Sequence, residues 1–403
     1  MPRGSGWPGL GLGEGDSLEV TSRSVPAATM AVTREPGELF LLRHTAGDDA
    51  IAFVERIDPV TLDEMARSPD LIGGPAWPGS LAVHANGSLY VVFGNHAHRL
   101  TPGLSVTATT ALPRPRPYNG FVLLDDGHLV TKDFAGSRPG TPVAPEQRQP
   151  CELVVLDPES LAIVDRCVLA EPSIARLSAR GNEIFVVGDT SLLRVGWDGR
   201  RLLPDAHDPV AYRTLDGQTY GWDCMISLGA AWFLDDGDGT EGYTGTLAGH
   251  GRSGAPLHLV RVGLDRGTTA LAEVCGLPGG LIANPPMIDH LRSIAVGYDS
   301  GNGIVAAFDV APDGGLSPRW QRQQHHGGHL LFYPGTGELV TGHYDEARLA
   351  DQVVVLDIAT GSELARADTG SPVQSVLFPA AGFGRDLYLC TFTTISRVSV
   401  RAG

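Results

Sequence analysis

The chain has 403 residues, of which 42% are hydrophobic, and it carries a formal net charge of −16. This apolar content is enough for a substantial core, while the acidic balance argues against nucleic acid or an anionic membrane as a partner. The 52 glycines and 29 prolines favour a fold of many short strands joined by many turns. No run of residues approaches the roughly 18 apolar positions of a membrane helix.

Five cysteines are scattered along the chain, and none forms a CxxC pair. This pattern indicates neither a disulfide framework nor a zinc knuckle, so we interpret most of them as buried strand residues in a reducing compartment. The N-terminal residues lack the apolar centre of a signal peptide. We therefore expect a cytoplasmic protein whose partner is a small-molecule ligand, and the oligomeric state stays open.

Eight hairpins of similar design follow one another along the chain. Each has an apolar strand, a polar or glycine-containing turn and a second apolar strand. They occupy residues 28–44, 80–96, 119–133, 174–189, 223–236, 286–299, 328–345 and 373–391. The period of roughly 45–50 residues is typical of four-stranded propeller blades.

Shorter outer hairpins lie between these units, and helical periodicity is hard to find. The sequence therefore predicts an all-β protein, a single β-propeller of eight four-stranded blades, with seven blades as the alternative. The last copy lacks a fourth strand, and residues 17–22 form a spare strand near the N-terminus. Pairing residues 18–21 with residues 395–400 closes the ring and removes two open sheet edges. We accordingly divide the chain into a flexible segment, residues 1–16, and one propeller domain, residues 17–403.

The hairpin QVVVLDIATGSELARADTGSP, residues 352–372, resembles the repeat of the quinoprotein-like (PQQ-dehydrogenase-like) eight-bladed propellers. That repeat has an Asp, then a Thr-Gly turn, then a Trp on the outer strand. Asp357, Thr360 and Gly361 match it, and Ala365 stands where the Trp would be. The resemblance implies the fold. The vicinal cysteine pair at the cofactor site of many quinoprotein alcohol dehydrogenases is absent, so pyrroloquinoline quinone is not expected as a cofactor.

Propeller geometry sorts the loops into two faces. Tight hairpin turns open on one face, whereas the connections into the inner strands and between the second and third strands open on the other. That second face carries the long segments 134–150 and 237–255. Long loops gathered on one side of a rigid scaffold are typical of a binding site. The residues that we expect to bind substrate there are Trp77, Asn119, Trp222, Asp223, Asn284 and Tyr344.

Some of these residues have a structural alternative. Asn119, Asp223 and Asn284 begin inner strands, where a polar side chain either lines the channel or forms hydrogen bonds with a neighbouring blade. Lys132 ends an apolar strand, which is unexpected for a lysine. A salt bridge to a nearby carboxylate is its structural explanation, and proton transfer is its functional one.

Histidines give the sharpest chemical signal. His325, His326, His329 and His343 cluster within one blade. Neutral imidazoles close together suit either acid–base catalysis or a divalent transition metal. The residues that we predict to be catalytic are His326, His343, Asp345 and Lys132. The alternative metal ligands are His326, His329, His343 and Asp299.

These observations predict a small-molecule enzyme of the lyase, isomerase or hydrolase type, with a site lined by His, Asp and Asn in the funnel of the ring. A divalent metal is the candidate cofactor. A binding or scaffold propeller without chemistry is the alternative, because the fold does not decide between the two. A quinoprotein oxidoreductase is a third hypothesis, disfavoured by the missing cysteine pair.

Overall fold

The computed structural model describes residues 9–138, 141–204, 209–265 and 268–403. This part of the chain forms eight antiparallel sheets, each of which is one blade of a closed β-propeller. Its helical elements are two short 3₁₀ turns, Pro145–Gln147 and Thr240–Gly242. No helix among these residues is long and apolar enough to cross a membrane. The predicted all-β fold with eight blades is confirmed, and the seven-blade alternative is wrong.

The first strand, β1 (Ser17–Ser24), belongs to the last blade, and blades 1 to 4 follow it in chain order. Blade 1 has β2 (Ala28–Thr33), β3 (Leu39–His44), β4 (Ala50–Ile57) and β5 (Glu64–Arg67), with β6 (Leu71–Gly74) also beside β4. Blade 2 has β7 (Ser80–Val83), β8 (Leu89–Phe93), β9 (His96–Leu100) and β10 (Val106–Ala111). Blade 3 has β11 (Tyr118–Leu123), β12 (Leu129–Asp133), β13 (Glu152–Leu156) and β14 (Ile163–Val168). Blade 4 has β15 (Ser178–Arg180), β16 (Glu183–Val187), β17 (Ser191–Trp197) and β18 (Leu202–Pro204), with β19 (Val210–Ala211) also beside β17.

The second half of the ring repeats this order. Blade 5 has β20 (Met225–Ser227), β21 (Ala230–Leu234), β22 (His258–Gly263) and β23 (Thr269–Glu273). Blade 6 has β24 (Met287–Asp289), β25 (Ile294–Asp299), β26 (Ile304–Val310) and β27 (Leu316–Gln323). Blade 7 has β28 (Leu331–Tyr333), β29 (Glu338–Asp345), β30 (Ala350–Asp357) and β31 (Glu363–Asp368). Blade 8 has β32 (Ala380–Ala381), β33 (Asp386–Cys390), β34 (Thr394–Arg401) and β1.

The ring closes where the two ends of the chain meet. Strand β1 pairs antiparallel with β34, with Leu18 opposite Val400 and Thr21 opposite Arg397. The N-terminal strand therefore supplies the fourth strand that the last repeat lacks, as the sequence predicted. Without it, β34 would present an unpaired row of backbone donors and acceptors to solvent.

The segment before β1 contacts the propeller over its described part. Residues 1–8 lie outside the described residues. Leu10 is fully buried among apolar side chains of blades 7 and 8. Arg385 donates from Nε to the Leu10 carbonyl oxygen at 2.6 Å. The division of the chain at residue 16 remains a prediction, because the contacts of Leu10 show only that residues next to β1 pack on the ring.

The core lies between neighbouring blades, where side chains from facing sheets pack together. Burial of one large apolar side chain stabilises the fold by roughly 1.5–3 kcal/mol. The largest fully buried side chains include Trp232, Tyr90, Tyr118, Tyr212, Tyr298 and Tyr388. Hydrogen bonds also join neighbouring blades: the Tyr388 hydroxyl of blade 8 donates to the Pro59 carbonyl of blade 1 at 2.9 Å. The ring is therefore a rigid frame for the loops at its centre.

Candidate functional site

A cavity of about 330 Å³ opens at the centre of the ring, on the face that carries the long loops. It is bounded by connections that enter the inner strands and by the two long segments of blades 3 and 5. Its aromatic and polar lining includes His44, Asp48, Trp77, Arg138, Arg176, Trp222, Glu241, Tyr243, Asn284 and Phe392. Within the described part of the chain, blade 7 contributes no lining residue. We call this space the central cavity.

Aromatic rings form much of the wall of the central cavity. Trp77 stacks on Phe134 with ring centroids 4.4 Å apart and 17° between the planes, which fixes the orientation of the indole. Tyr243 and Phe392 lie together with centroids 5.6 Å apart. Trp222 is buried. Such rings offer large, rigid apolar surfaces to a flat ligand.

Arg176 brings a cation to this cavity, and residues of three blades hold it. Its backbone N–H donates to the Asp223 carboxylate at 2.6 Å, and its Nε donates to the Asn119 carbonyl at 2.9 Å. The guanidinium lies 4.7 Å from the centroid of the Phe378 ring. Burial lowers the pKa of Arg176 and the Asp223 charge opposes that effect, so the guanidinium stays protonated at neutral pH. Arg176 is thus a charged group in a fixed position.

Arg138 supplies a second guanidinium, from the long segment of blade 3. Its Nη1 donates to the Ala76 carbonyl at 3.3 Å, and its Nη2 lies 3.2 Å from the Asp48 carboxylate. Asp48 is largely exposed, at 78%, so its charge is well screened by water. The cavity therefore has two arginines, each with a side chain 15% exposed.

The predicted substrate-binding residues separate into three groups. Trp77, Trp222 and Asn284 line the central cavity. Asn119 and Asp223 lie beneath it and hold Arg176 in place. Tyr344 is elsewhere, because its hydroxyl donates to the Pro372 carbonyl at 2.7 Å and its ring is buried. The structure thus brings three of the six predicted side chains to the cavity, and it brings the Asp223 carboxylate and the Asn119 backbone carbonyl to Arg176.

The polar residues that begin inner strands also tie blades together. The Asn119 amide donates to the Ile174 carbonyl of the blade 4 connection at 3.1 Å. The Asn284 amide donates to the carbonyls of Gly327 at 2.8 Å and Val376 at 3.1 Å, in the connections that enter blades 7 and 8. Asn119 therefore forms a hydrogen bond with a neighbouring blade, which is its structural explanation. Asn284 forms such hydrogen bonds and also lines the cavity.

The predicted catalytic histidines lie outside the central cavity. His326 is 1% exposed, and its Nδ1 accepts a hydrogen bond from the Gly342 N–H at 2.8 Å. Burial lowers the pKa of His326 to about 4, so the ring is neutral. His343 Nδ1 accepts from the His325 N–H at 3.1 Å. Both rings therefore have structural hydrogen bonds in blade 7.

Asp345 and Lys132, the other two predicted catalytic residues, are apart from each other and from the cavity. The Asp345 carboxylate accepts from the N–H groups of Ala347 at 3.1 Å and Arg348 at 3.2 Å, which caps a turn. Lys132 is completely buried in blade 3, with Nζ donating to two backbone carbonyls. The expected salt bridge of Lys132 is absent: no described carboxylate lies within 4.0 Å of Nζ. Backbone carbonyls solvate this ammonium instead, because they are the acceptors that the strand ends leave free.

The predicted metal ligands do not converge. His329 stacks on Phe378 with centroids 3.8 Å apart and approaches Asp223 at 3.7 Å. Asp299 accepts from the Leu281 N–H at 3.2 Å and from the Asn302 amide at 2.7 Å. Across the residues that the structure describes, no three His, Cys, Asp or Glu side chains are arranged to hold a metal ion.

A long loop of blade 5 explains why blade 7 does not reach the cavity. This loop, residues 237–255, crosses to blade 8, and we call it the strap. The Tyr243 hydroxyl donates to the Gln374 carbonyl at 2.6 Å, and the Leu247 N–H donates to Gln374 Oε1 at 2.7 Å. Leu247 is fully buried, and its Cδ1 occupies the space beside Gly327. The strap therefore covers the connection that carries His326.

Sequence reasoning missed most of the other lining residues, among them His44, Arg138, Arg176, Tyr243 and Phe392. One of them had a visible signal. Arg176 stands in the run Ile-Ala-Arg-Leu, where a charge interrupts an apolar inner-strand entrance. Arg138 and Tyr243 lie in the two long segments that were assigned to this face, but nothing local distinguishes them there.

Comparisons with known proteins agree with the fold. No protein-family model and no curated protein matches the sequence. Sqt1 from Chaetomium thermophilum superposes with a TM-score of 0.61 at 13% identity, over 96% of this chain and 100% of that one. BamB from Moraxella catarrhalis gives 0.58 at 12%, over 94% and 100%. The quinohemoprotein alcohol dehydrogenase ADHIIG from Pseudomonas putida HK5 gives 0.53 at 9%, over 95% of this chain and 76% of that one.

At these identities the likeness concerns the fold alone. The neighbours include an alcohol dehydrogenase and also proteins whose names indicate no catalysis, so they do not decide the function. They do agree with the resemblance that the repeat of residues 352–372 implied. The chain is an eight-bladed β-propeller of the fold that quinoprotein dehydrogenases and BamB share.

Proposed function

We propose that this protein binds a small organic anion with a flat apolar body in the central cavity. The observation that carries the proposal is the position of Arg176, a cation with a side chain only 15% exposed, in a largely apolar cavity that also carries several aromatic rings. Ligand sites of small molecules are typically concave, largely apolar and equipped with a few fixed polar groups. The volume of about 330 Å³ lies at the small end of the usual range.

The charges around the cavity favour an anion at Arg176. Asp223, its carboxylate partner, lies 3.6 Å from Nη1 and also accepts from the Arg176 backbone N–H at 2.6 Å. Glu241, the acid that the strap contributes, pairs with Arg252 at 3.4 Å. A carboxylate would gain charge-assisted hydrogen bonds from the guanidinium edge, which are about twice as strong as neutral ones. The aromatic walls would then accept the rest of the ligand.

Calorimetric titration with matched pairs of ligands tests this proposal. The panel contains aromatic monocarboxylates and their primary amides, which have the same shape without the charge. We expect the carboxylates to bind and the amides to bind at least about tenfold more weakly, since a charge-assisted bond contributes about 1.5–3 kcal/mol. Arg176→Gln should abolish the difference between acid and amide.

The matched control for that variant is Arg319→Lys. Arg319 lies on the outer strand of blade 6 and pairs with Asp309 at 2.7 Å, far from the cavity lining. Trp77→Ala serves as a second variant that leaves the Arg176 contacts intact. Equal binding of acids and amides, or an Arg176→Gln variant with undiminished preference for acids, would contradict the proposal.

A second candidate function, acid–base catalysis, rests on His44. This residue lines the central cavity, and its Nδ1 donates to the Thr45 carbonyl at 2.7 Å. Nε2 is therefore the unprotonated nitrogen; it is a buried atom to which no described group bonds, so base catalysis requires the imidazole to turn toward the ligand. Burial lowers the pKa of His44, which keeps the ring neutral and able to accept a proton.

Proton exchange from a bound ligand tests this candidate without knowledge of the product. A lyase or isomerase of this kind would remove a C–H proton next to the carboxylate and exchange it with deuterated water, which proton NMR detects. His44→Gln should lower the exchange rate at least about 100-fold, because general-base catalysis contributes about 10²–10⁴-fold. If bound ligand shows no exchange with the unmodified protein, the protein binds without catalysis.

A further inference from the structure

Lys132 is the only lysine in this 403-residue chain, whose other 29 Lys or Arg residues are arginines. Its side chain is completely buried, at 0% exposure. An arginine has a bulky, planar head that cannot serve as a nucleophilic amine, whereas a lysine amine can. The one primary amine side chain of the protein is thus in the interior of blade 3.

A cysteine shares the surroundings of this amine. Lys132 Nζ lies 2.9 Å from the Asp133 carbonyl oxygen and 3.0 Å from that of Ser173. Cys151 Sγ lies 3.1 Å and 3.3 Å from the same two oxygens. The amine and the thiol therefore contact the same two carbonyl oxygens, and Nζ and Sγ lie 3.7 Å apart. This separation is close to van der Waals contact.

We propose that Lys132 and Cys151 form an oxidative cross-link, an N–S bond between Nζ and Sγ, when the protein meets a peroxide. Sulfenic acids condense with thiols to disulfides and with nitrogen to sulfenamides. The other two buried cysteines, Cys224 and Cys390, have no lysine beside them, since the chain has no second one. The geometry selects Cys151 alone.

The reaction has two balanced steps. In the first, Cys151 Sγ attacks one oxygen of hydrogen peroxide, the O–O bond breaks, and the second oxygen leaves with the thiol proton as water. In the second, the Lys132 amine, having released its extra proton to solvent, attacks the sulfenic sulfur. The N–S bond forms, the S–O bond breaks, and the leaving hydroxide takes an amine proton as water. The sulfur loses two electrons and the peroxide gains them.

The cross-link would join the two ends of a long loop. Lys132 lies near the end of β12, and Cys151 immediately precedes β13. The chain between them contains Arg138, which lines the central cavity. A covalent bond between the two ends of such a loop lowers the conformational entropy of the unfolded chain, as a disulfide does. The modification is independent of the proposed ligand.

The single lysine makes the test simple, because a lysine-specific protease cuts the denatured chain only after Lys132. The native protein is treated with hydrogen peroxide at pH 9 for hours, since burial raises the pKa of the Cys151 thiol and slows its oxidation at neutral pH. It is then alkylated, denatured and digested. We expect cleavage after Lys132 to fall at least about tenfold and the intact mass to fall by about 2 Da, both restored by dithiothreitol.

Cys151→Ser is the matched variant, and it should be cleaved fully after the same treatment. Should this variant not fold, peptide mapping of the unmodified protein with an arginine-specific protease decides: the peptides that contain Lys132 and Cys151 must be joined. Protein unfolded before oxidation should stay cleavable, because the contact is lost. Full cleavage after oxidation of the native protein, or a Cys151 that carries added oxygen beside an unmodified Lys132, would overturn the proposal.

Discussion

The carboxylate of Glu338 accepts a hydrogen bond from the backbone N–H of Leu10 at 2.7 Å, across 328 positions of sequence. The same carboxylate accepts from the N–H groups of Gly11 at 3.1 Å and Leu12 at 2.8 Å. Leu10 is fully buried beside it. One side chain of blade 7 thus binds three consecutive amides of the segment before β1, which supports the strand that closes the ring.

Glu338→Gln should weaken this attachment. The amide that replaces one carboxylate oxygen cannot accept from an N–H, so at least one buried donor loses its partner. We expect the free energy of unfolding to fall by about 1–3 kcal/mol, measured by urea denaturation. Glu64→Gln, on the exposed strand β5, is the control and should change it by less than about 0.5 kcal/mol. Equal stability of the two variants would show that the three amides do not depend on the carboxylate.

Gly361 lies in the turn that resembles the quinoprotein repeat, and its φ is +71°. A Cβ there would lie 2.6 Å from the ring of Trp320, whose Nε1 donates to the Ile358 carbonyl at 2.9 Å. Gly361→Ala therefore adds backbone strain and a clash, and should lower the free energy of unfolding by at least about 2 kcal/mol. A Cβ at Gly335 meets no atom within 4 Å, so Gly335→Ala is the control. An unchanged free energy of unfolding in Gly361→Ala would show that Gly361 does not pack against Trp320 in this way.

Asp351 should make stability depend on pH. Burial raises the pKa of its carboxyl from 3.8 to about 7, and among the described residues its oxygens accept from the Ser375 N–H and the Thr369 hydroxyl. Between pH 4 and 7 the folded protein therefore holds a proton that the unfolded chain releases, so stability falls as the pH rises. The slope from one such proton is up to about 1.4 kcal/mol per pH unit.

Asp351→Asn should remove that contribution and stabilise the protein at pH 7.5. Asparagine can accept from Ser375 and donate to Thr369, so the neutral contacts survive. Urea denaturation at pH 5, 6 and 7.5 measures the slope, and Asp216→Asn, at an exposed position, serves as the control. A slope unchanged by Asp351→Asn would show that Asp351 is ionised in the folded state.

Gln374 should determine how firmly the strap is held. Its backbone N–H donates to the Gly245 carbonyl at 2.7 Å, in addition to its bonds with Tyr243 and Leu247. Gln374→Ala removes the side-chain acceptor of the Leu247 N–H and keeps the two backbone contacts, so we expect amide exchange at Leu247 to become at least about tenfold faster than in the unmodified protein, measured by mass spectrometry. Gln323→Ala, on the outer strand of blade 6, is the control. Exchange that rises equally in all blades would indicate global destabilisation.

The architecture was predictable from the sequence, because strands and turns are local properties. The hairpin pattern of apolar strands joined by a tight turn, such as the turn Pro334 to Gly337, occurs eight times. Each copy predicts the same kind of sheet from its own residues alone. The pairing of Leu18 with Val400 was also predictable, because the last blade has an unpaired edge and the N-terminal segment has a strand without a partner. Pairing the two removes both open edges.

The position of the cavity, in contrast, depends on contacts between blades. The histidines of blade 7 formed the densest chemical cluster in the sequence, yet the strap from blade 5 packs over the connection that carries His326, because Leu247 and Tyr243 find partners in blade 8. Arg176 became the cation of the cavity through contacts with Asn119 and Asp223 of neighbouring blades. Burial and charge in a closed ring depend on residues that are distant in sequence, and no local pattern encodes which of them meet.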